Sequence, residues 1–316
     1  MGRQTGGLLI PVDMQIKRGR AANTQFTGSP AQGGNLVFPE YMGYIELLKN
    51  AAVVLQMGAR LVTGLQGTPT WVRQTGQSSI FWINENPPAD VQDSKLTWDT
   101  VISTPKTAKS LLSYTRQQVL QSIESFEPLV QQDLLENDAL AVDTAALIGS
   151  GNDYQPLGLL NTPNIQALGL GANGRKPTYA DITKLKTLVK KANAMNLGAG
   201  GYLTTPDIQN LLENTPKLSN TIAQAVWENN SLAGYPALGA NQVPSNLAKG
   251  TAENCHALIF GIWSEMFILE WGALEMVVDP YTQSARDVVR VTTSHLLDVF
   301  VRRPQAFAAI KDALPE

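Results

Sequence analysis

Residues 125–161 read SFEPLVQQDLLENDALAVDTAALIGSGNDYQPLGLLN, and this stretch decides how the rest of the chain is organised. Its first part predicts one long amphipathic helix over residues 126–148, because apolar side chains recur every three or four positions. The members of this apolar stripe are Val130, Leu134, Ala141, Ala145 and Ile148. At ~1.5 Å per residue the helix is roughly 33 Å long, enough to cross a whole domain.

Both ends of this helix carry recognisable signals. Ser125 is a candidate N-cap, and Pro128 falls in the first turn, where its missing N–H matters least. Gly149 and Gly151 follow the last apolar residue, and glycine is typical of helix C-termini because it adopts positive φ without strain. The sequence therefore predicts a helix with defined boundaries.

The polar side of the same helix is acidic, with no Lys or Arg between Gln117 and Ile148. Carboxylates at helical spacing are usually a solvated face, and we expect that here. These acidic residues are Glu124, Glu127, Asp133, Glu136, Asp138 and Asp143.

The composition excludes several classes of protein. The 316 residues are 43% hydrophobic, which allows one large multi-lobed unit or two lobes. A net charge of −3 gives no global attraction to nucleic acid or anionic lipid. A lone cysteine, Cys255, excludes an internal disulfide framework, and two histidines without an HxxH pair argue against a zinc site. We expect no metal and no cofactor.

The sequence also argues against membrane insertion. Residues 8–11 are too short for the apolar core of a signal peptide. The most apolar stretch, residues 257–278, contains three glutamates, which a membrane span would not accommodate. We therefore expect a soluble chain, intracellular in character, with no membrane partner.

No catalytic constellation is visible. Gly149-Ser150-Gly151 follows a helix C-terminus, whereas phosphate loops precede a helix N-terminus. Ser294 and His295 are neighbours in a predicted strand and so point to opposite faces. His256, beside Cys255, is best interpreted as strand packing. The prediction is a protein that is not an enzyme and has no catalytic residue.

Residues 66–104 predict a long β-hairpin. Its arms, TWVRQTGQSSIFWINE (70–85) and KLTWDTVIST (95–104), carry aromatic and β-branched residues, and a polar, acidic tip over residues 86–94 joins them. Such a hairpin is only marginally stable alone and needs another surface to lie on. It either packs on its own domain or reaches over a partner.

The remaining segments alternate between helix and strand without a βαβ rhythm. Residues 1–38 form a basic arm that cannot order itself and is either a loose terminus or a strap that orders on a neighbouring subunit. The other predicted elements are a helix followed by a short strand within 39–65, a strand over 104–113, a short helix over 115–120, helices over 178–192 and 206–213, a strand over 201–204, a loop-rich stretch over 214–255, and strands within 258–278 and 288–301. The fold class is therefore α+β, with a mixed or antiparallel sheet.

Several segments, in their order and spacing over residues 36–310, resemble the major capsid proteins of tailed double-stranded DNA bacteriophages, which share the Hong Kong phage-type fold. The segments that carry this resemblance are PTWVRQTG (69–76), FWINE (81–85), PK (105–106), YTRQ (114–117), DL (133–134), DTAAL (143–147), GSG (149–151), QPLGLLN (155–161), GYP (234–236), GIWS (261–264), DPY (279–281) and RRPQAF (302–307).

The resemblance implies a division of the chain. It comprises an N-terminal arm (1–38), the first part of a peripheral domain (39–65), an extended loop (66–104), a peripheral domain with the spine helix 126–148 (105–177), an axial domain (178–275) and return strands of the peripheral domain (276–316). In this family the extended loop lies over an adjacent subunit, which would explain a hairpin and an arm that cannot fold alone.

The implied function is a structural subunit that assembles as pentamers and hexamers into an icosahedral shell around phage DNA. The implied partners are other copies of the chain, a portal, a scaffolding function, a decoration protein, and double-stranded DNA held by enclosure. The implied localisation is the virion, assembled in the host cytoplasm. An encapsulin-like shell around an enzyme cargo is the alternative.

The expected subunit-interface residues are Trp71, Arg73, Trp82, Glu85, Trp98, Arg302 and Arg303, together with the basic arm residues Lys17, Arg18 and Arg20. Arg302 and Arg303 equally fit a solvated strand end.

Three further expectations concern the assembled shell. The spine lies near the inner surface in this family, so an acidic face there would repel DNA and let it slide. Some members link subunits through a loop lysine and a peripheral asparagine; here the loop offers only Lys95, and residues 276–316 contain no asparagine, so we expect a non-covalent shell. No charged scaffolding segment precedes Gly34; we expect it to be cleaved, missing from this sequence, or supplied by a separate protein.

Overall fold

The computed structural model describes residues 49–315, apart from 51, 86–89, 91–92, 123–125, 153 and 218–223. The arm predicted for residues 1–38, with Lys17, Arg18 and Arg20, lies outside the described residues. Ser125, most of the acidic tip and most of the helix predicted within 39–65 lie outside them too. Within residues 39–65, the described part is not helical. Residues 54–58 form a turn, and the expected short strand follows at Arg60–Val62.

The described residues form four helices and fifteen strands. The helices are α1 (Arg116–Gln121), α2 (Phe126–Ile148), α3 (Tyr179–Lys191) and α4 (Pro206–Glu213). The strands are β1 (Arg60–Val62), β2 (Thr70–Gly76), β3 (Thr97–Ile102), β4 (Lys106–Thr115), β5 (Gln166–Ala167), β6 (Gly200–Thr204), β7 (Trp227–Glu228), β8 (Ser231–Leu232), β9 (Tyr235–Gly239), β10 (Leu247–Lys249), β11 (Ala252–Ile262), β12 (Met266–Glu270), β13 (Glu275–Asp279), β14 (Val288–Val301) and β15 (Phe307–Ala313). The α+β prediction is confirmed, and the loop-rich range 214–255 contributes four short strands.

A five-stranded sheet is built around β14, the longest strand. One side of β14 pairs with β4, from Val288 opposite Thr115 to Leu297 opposite Lys106. The other side pairs with β13 and then with β12, which in turn pairs in parallel with β1. This sheet therefore brings together segments from both ends of the described chain.

The predicted spine helix is α2, and its bounds agree with the sequence prediction. Val130 and Leu134 are buried against Tyr114, Val289 and Val291 of the sheet. The apolar stripe thus packs on β4 and β14, as its period predicts.

One member of that stripe does not follow the prediction. Ala141 is exposed. Its small side chain lines an open groove of about 380 Å³ that also contains Lys106 and Leu297. A methyl group is too short to close the space between the helix and the end of the sheet, so Ala141 is exposed on the side where the stripe was expected to be buried.

An eight-stranded sheet carries most of the hydrophobic core. Its order is β5–β15–β11–β6–β9–β8–β7, with β10 also paired to β11. Helix α3 packs its buried residues Ile182, Leu185 and Val189 into this core. The predicted cap is present: the backbone N–H and the hydroxyl of Thr178 both donate to Asp181 Oδ2.

The strand pairing does not follow the division expected at residue 275. Strand β12 falls within the range expected to be axial, yet it pairs with β14 of the five-stranded sheet. Strand β15 falls within the expected return strands, yet it pairs with β11 of the eight-stranded sheet. The chain passes between the two sheets at residues 262–266 and again at 301–307. In the described part of the chain, no helix is long and apolar enough to span a membrane.

Candidate interaction surface

Strands β2 and β3 form the base of the predicted hairpin, paired antiparallel from Thr70 opposite Ile102 to Gly76 opposite Thr97. The predicted arms are longer than these strands, because residues 77–85 and 95–96 are not in a strand. The base of this hairpin packs on the body of the same chain. The Trp71 ring stacks on Phe300 at 5.1 Å between centroids and tilts against Phe267 at 5.9 Å. Trp71 was expected at a subunit interface, but these contacts give it an intramolecular role.

The outer part of the hairpin is exposed. Residues 80–83 read IFWI, and the side chains of Ile80 and Trp82 are 83% and 96% exposed. Trp98, on the other arm, is 59% exposed. A contiguous exposed apolar segment on a folded protein marks an interaction site. The base of the hairpin therefore lies on its own domain, whereas the outer part is exposed and packs on no other described residues.

Two charged residues expected at the interface differ in their surroundings. The guanidinium of Arg73 donates to Asp99 Oδ2 at 2.6 Å, directly across the β2–β3 ladder. That hydrogen bond, helped by one from the backbone N–H of Thr100, holds the pKa of Asp99 below its usual value. Glu85 is exposed, and no described cation lies within ion-pair distance of it. Arg73 is thus already paired within the hairpin, and Glu85 is not.

A groove of about 810 Å³ lies between β2 and the body of the chain. We call it the arginine groove, after Arg60, Arg73, Arg302 and Arg303, which line it. Its other lining includes the stacked rings of Trp71, Phe267 and Phe300. The sequence did not predict this groove, because Arg60 is brought to it by the parallel pairing of β1 with β12, which only the folded chain shows.

The two arginines at the end of β14 have different partners. Arg303 donates to Glu265 Oε2 at 2.8 Å and is anchored to its own chain. Arg302 is exposed and has no carboxylate within salt-bridge distance among the described residues. Arg303 is therefore held by its own chain. Arg302 is free to be either a solvated strand end or an interface residue.

The predicted acidic face of α2 is only partly solvated. Lys49 forms ion pairs with Asp133 and Glu136, and the hydrogen bond to Asp133 is the largest cause of the raised pKa of Lys49. Asp143 is buried, and its carboxylate accepts the backbone N–H groups of Val53 and Val54 at 3.1 and 2.7 Å. Burial raises the pKa of Asp143, and the two hydrogen bonds oppose that rise.

Asp138 is the second exception on this face. Its Oδ2 lies 2.8 Å from Nδ1 of His295, and Glu270 Oε1 lies 3.4 Å from Nε2 of the same ring. The side chains of all three residues are largely buried. The expectation of a fully solvated acidic face is therefore wrong for Asp138 and Asp143, which link the helix to the rest of the fold.

The Gly149–Gly151 segment closes the C-terminus of α2. The side-chain amide of Asn161 donates to the carbonyl oxygens of Ile148 and Gly149, two of the groups that a helix C-terminus leaves unpaired. A Cβ atom on Gly149 would lie 2.2 Å from the carbonyl oxygen of Pro156, so only glycine fits there. This geometry serves the C-cap.

The remaining polar candidates have structural partners. His256 is buried, and its Nδ1 lies 2.8 Å from the hydroxyl of Thr205. Asp279 accepts the backbone N–H groups of Tyr281 and Thr282, as the predicted turn requires. Among the residues that the structure describes, no group of three or more His, Cys, Asp or Glu side chains is arranged to hold a metal ion.

The sequence model of the phage capsid family matches residues 33–312. This chain belongs to the phage capsid family. The major capsid protein of Halomonas phage phiHAP-1 is 30% identical over 99% of this chain and 49% of its own length. The major capsid protein of Klebsiella oxytoca phage phiKO2 is 24% identical over 87% of this chain and 67% of its own length. The chain thus spans about half the length of the first of these relatives.

The capsid of a native GTA particle superposes on this phage capsid chain with a TM-score of 0.72. It is 19% identical and covers 90% of this chain and 98% of its own. At that identity the match shows the fold alone, and it confirms the expected phage capsid fold. The family match and the two major capsid proteins favour a phage capsid over the encapsulin-like alternative.

Proposed function

We propose that this chain is a structural subunit of an icosahedral phage shell, assembling as pentamers and hexamers around double-stranded DNA. The observation that carries the proposal is the outer hairpin, whose apolar segment 80–83 is exposed on the isolated chain. Burying an aliphatic or aromatic side chain stabilises a contact by about 1.5–3 kcal/mol. A neighbouring subunit would provide the surface that this chain lacks.

Shell geometry makes modest contacts sufficient. A hairpin that projects from one surface of a subunit and lies on a different surface of the next makes a head-to-tail contact. Such contacts close into rings when the rotation between subunits permits. Each subunit then both covers a neighbour and is covered by one. Because every contact is repeated around the ring, weak pairwise affinities combine by avidity.

The two sheets support a proposed domain assignment that differs from the expected ranges. The peripheral domain would comprise α2 and the five-stranded sheet, including β12. The axial domain would comprise α3, α4 and the eight-stranded sheet, including β15. Residues 66–104 would be the extended loop and residues 1–38 the arm. Portal, scaffolding and decoration partners, and assembly in the host cytoplasm, belong to the same proposal.

The proposed inner face of the shell is the exposed side of α2. Glu127 and Asp133 are exposed there, and Lys49 neutralises part of the charge of Asp133 and Glu136. The remaining negative charge would repel the DNA backbone and let it slide during filling. Strong, salt-sensitive binding of duplex DNA to this face of opened shells would contradict the proposal.

The test of the shell function is the assembly state of the purified chain. Sedimentation and negative-stain electron microscopy measure it. Closed particles are expected from the unaltered chain. The Trp82→Ala variant should keep the stability of the monomer, since its side chain contacts almost nothing, and should form fewer particles. Tyr281→Ala, which removes an exposed aromatic ring far from the hairpin in sequence, is the matched control. A chain that remains monomeric under all conditions would refute the function.

A further inference from the structure

We infer that the arginine groove binds the acidic hairpin tip of a second copy of this chain. The inference rests on the proposed shell function and specifies which two surfaces meet. The acidic tip is represented among the described residues by Glu85, Asp90 and Asp93.

The arginine groove carries an excess of positive charge. Two of its four guanidinium groups are neutralised, Arg73 by Asp99 at 2.6 Å and Arg303 by Glu265 at 2.8 Å. Arg60 and Arg302 are exposed, and within the described ranges neither has a carboxylate in salt-bridge range. The groove therefore presents two unpaired cations to an incoming ligand.

The lining of the groove selects the kind of anion. The guanidinium of Arg60 lies 5.9 Å from the centroid of the Phe267 ring, which helps to hold that cation in place. Phe300 and Trp71 stack beside it at 5.1 Å. A cationic rim above aromatic rings fits a ligand with both carboxylates and apolar groups, and a planar guanidinium binds a carboxylate through two parallel hydrogen bonds.

The hairpin tip has these properties. Glu85, Asp90 and Asp93 are exposed, and among the described side chains none of them is engaged in an ion pair. The apolar segment 80–83 immediately precedes Glu85, so carboxylates and aromatic rings lie within a few residues of one another. The tip thus complements the arginine groove in charge and in apolar character.

The partner must be another copy, because Glu85, Asp90 and Asp93 of the same chain are exposed and so do not occupy its own groove. The described residues on both sides of the tip, 77–85 and 93–96, are exposed throughout. Arg60 and Arg302 are likewise exposed. Tip and groove are different surfaces of one chain, so their pairing is head-to-tail and extends from each copy to the next.

Charge reversal tests the pairing directly. The groove variant carries Arg60→Glu and Arg302→Glu, the tip variant carries Glu85→Lys, Asp90→Lys and Asp93→Lys, and a third protein carries both sets. Arg286→Glu, an exposed arginine on a separate turn, is the control for charge alone. The full-length proteins are compared for melting temperature, for particle yield by sedimentation, and for binding of a short fluorescent DNA duplex.

We expect the groove variant and the tip variant each to lower particle yield by about tenfold or more, because like charges then face one another. The protein with both sets should recover most of the yield, since the charges are again complementary, and Arg286→Glu should assemble like the unaltered chain. All variants should melt within a few degrees of one another, because each altered side chain is exposed.

Four results would overturn the inference. Unchanged assembly of the groove variant, with normal assembly of the unaltered chain, would refute the pairing and leave the shell function standing. No rescue in the protein with both sets would show that tip and groove do not meet. Loss of DNA binding in the groove variant with unchanged assembly would assign the groove to nucleic acid. Failure of the unaltered chain to assemble would refute the shell function as well.

Discussion

His295 ties the spine helix to the sheet through carboxylates from two other elements. Asp138 lies on α2 and Glu270 on β12, and both face the ring of His295 on β14. The hydrogen bond to Asp138 is the largest cause of the raised pKa of His295, and burial opposes it. A histidine with a raised folded pKa stabilises the fold fully below its unfolded pKa of ~6.5, and this contribution is lost as the pH rises through the folded value.

The stability of the unaltered chain should therefore fall between pH 6 and pH 9 by more than that of the His295→Gln variant. Chemical denaturation at the two pH values measures both differences. His256 provides the internal contrast, because burial lowers its pKa, opposed by Asp207, and its contribution therefore has the opposite sign. If His295→Gln and the unaltered chain lose the same stability over this interval, the ring does not act as a charged link.

Asp143 supplies the second link between α2 and a remote segment. Replacing it with Ala removes the acceptor from two buried N–H groups, those of Val53 and Val54, and should lower the free energy of unfolding by about 2–4 kcal/mol. Asp143→Asn retains one carbonyl acceptor and removes a buried charge, so its loss should be smaller. Equal losses in equilibrium unfolding would show that the hydrogen bonds contribute little.

At the scale of the element, two adjacent leucines of α2 lie on different faces of the helix. Leu134 is buried in the cluster with Tyr114 and Val291, whereas Leu135 is 50% exposed. Leu134→Ala should destabilise the chain by about 2–4 kcal/mol, and Leu135→Ala by less than about 0.5 kcal/mol. Thermal unfolding compares them. Leu134→Asp should prevent assembly by unfolding this region, and normal particles from that variant would mean that the helix face is assigned wrongly.

The bounds of α2 could be predicted from the sequence because the signals are local. The apolar period and Gly149 act over a few residues, and the structure follows them. The roles of Asp138 and Asp143 could not be predicted in this way. Their partners, His295 and Val53, lie 157 and 90 residues away in the chain. The sequence does not show whether a carboxylate on a helix is solvated or pairs with a residue that is remote in the chain.

The hairpin shows the same limit within a single element. Trp71 and Trp82 carry the same side chain on the same arm, and the resemblance to phage capsid proteins implied an interface role for both. Trp71 meets Phe267 and Phe300, which come from β12 and β14 at the other end of the chain, while Trp82 contacts almost nothing. Only the tertiary arrangement shows that Trp71 packs on its own chain while Trp82 is exposed.

At the scale of the whole molecule, the chain order hides the division between the sheets. Strand β12 follows β11 closely, yet the two lie in different sheets, and β14 and β15 are separated in the same way. The resemblance to phage capsid proteins implied one boundary near residue 275. Two crossings between the sheets replace that boundary, so variants in β12 should affect the proposed peripheral domain.

The assembled shell should be non-covalent. Lys95 is exposed on the hairpin, but residues 276–316 contain no asparagine to accept a lysine cross-link there. Boiled particles should therefore run as a single 34.2 kDa band on a denaturing gel. A ladder of linked subunits would contradict this prediction, and a Lys95→Arg variant would then show whether this lysine forms the link.

Cryo-electron microscopy of particles assembled from the purified chain tests the central claim most directly, because it shows what covers the outer hairpin. We predict closed shells in which residues 80–83 of each copy lie against a neighbouring copy and the Trp82 ring is buried. Shells in which this segment projects into solvent, or a chain that forms no shells at all, would contradict it.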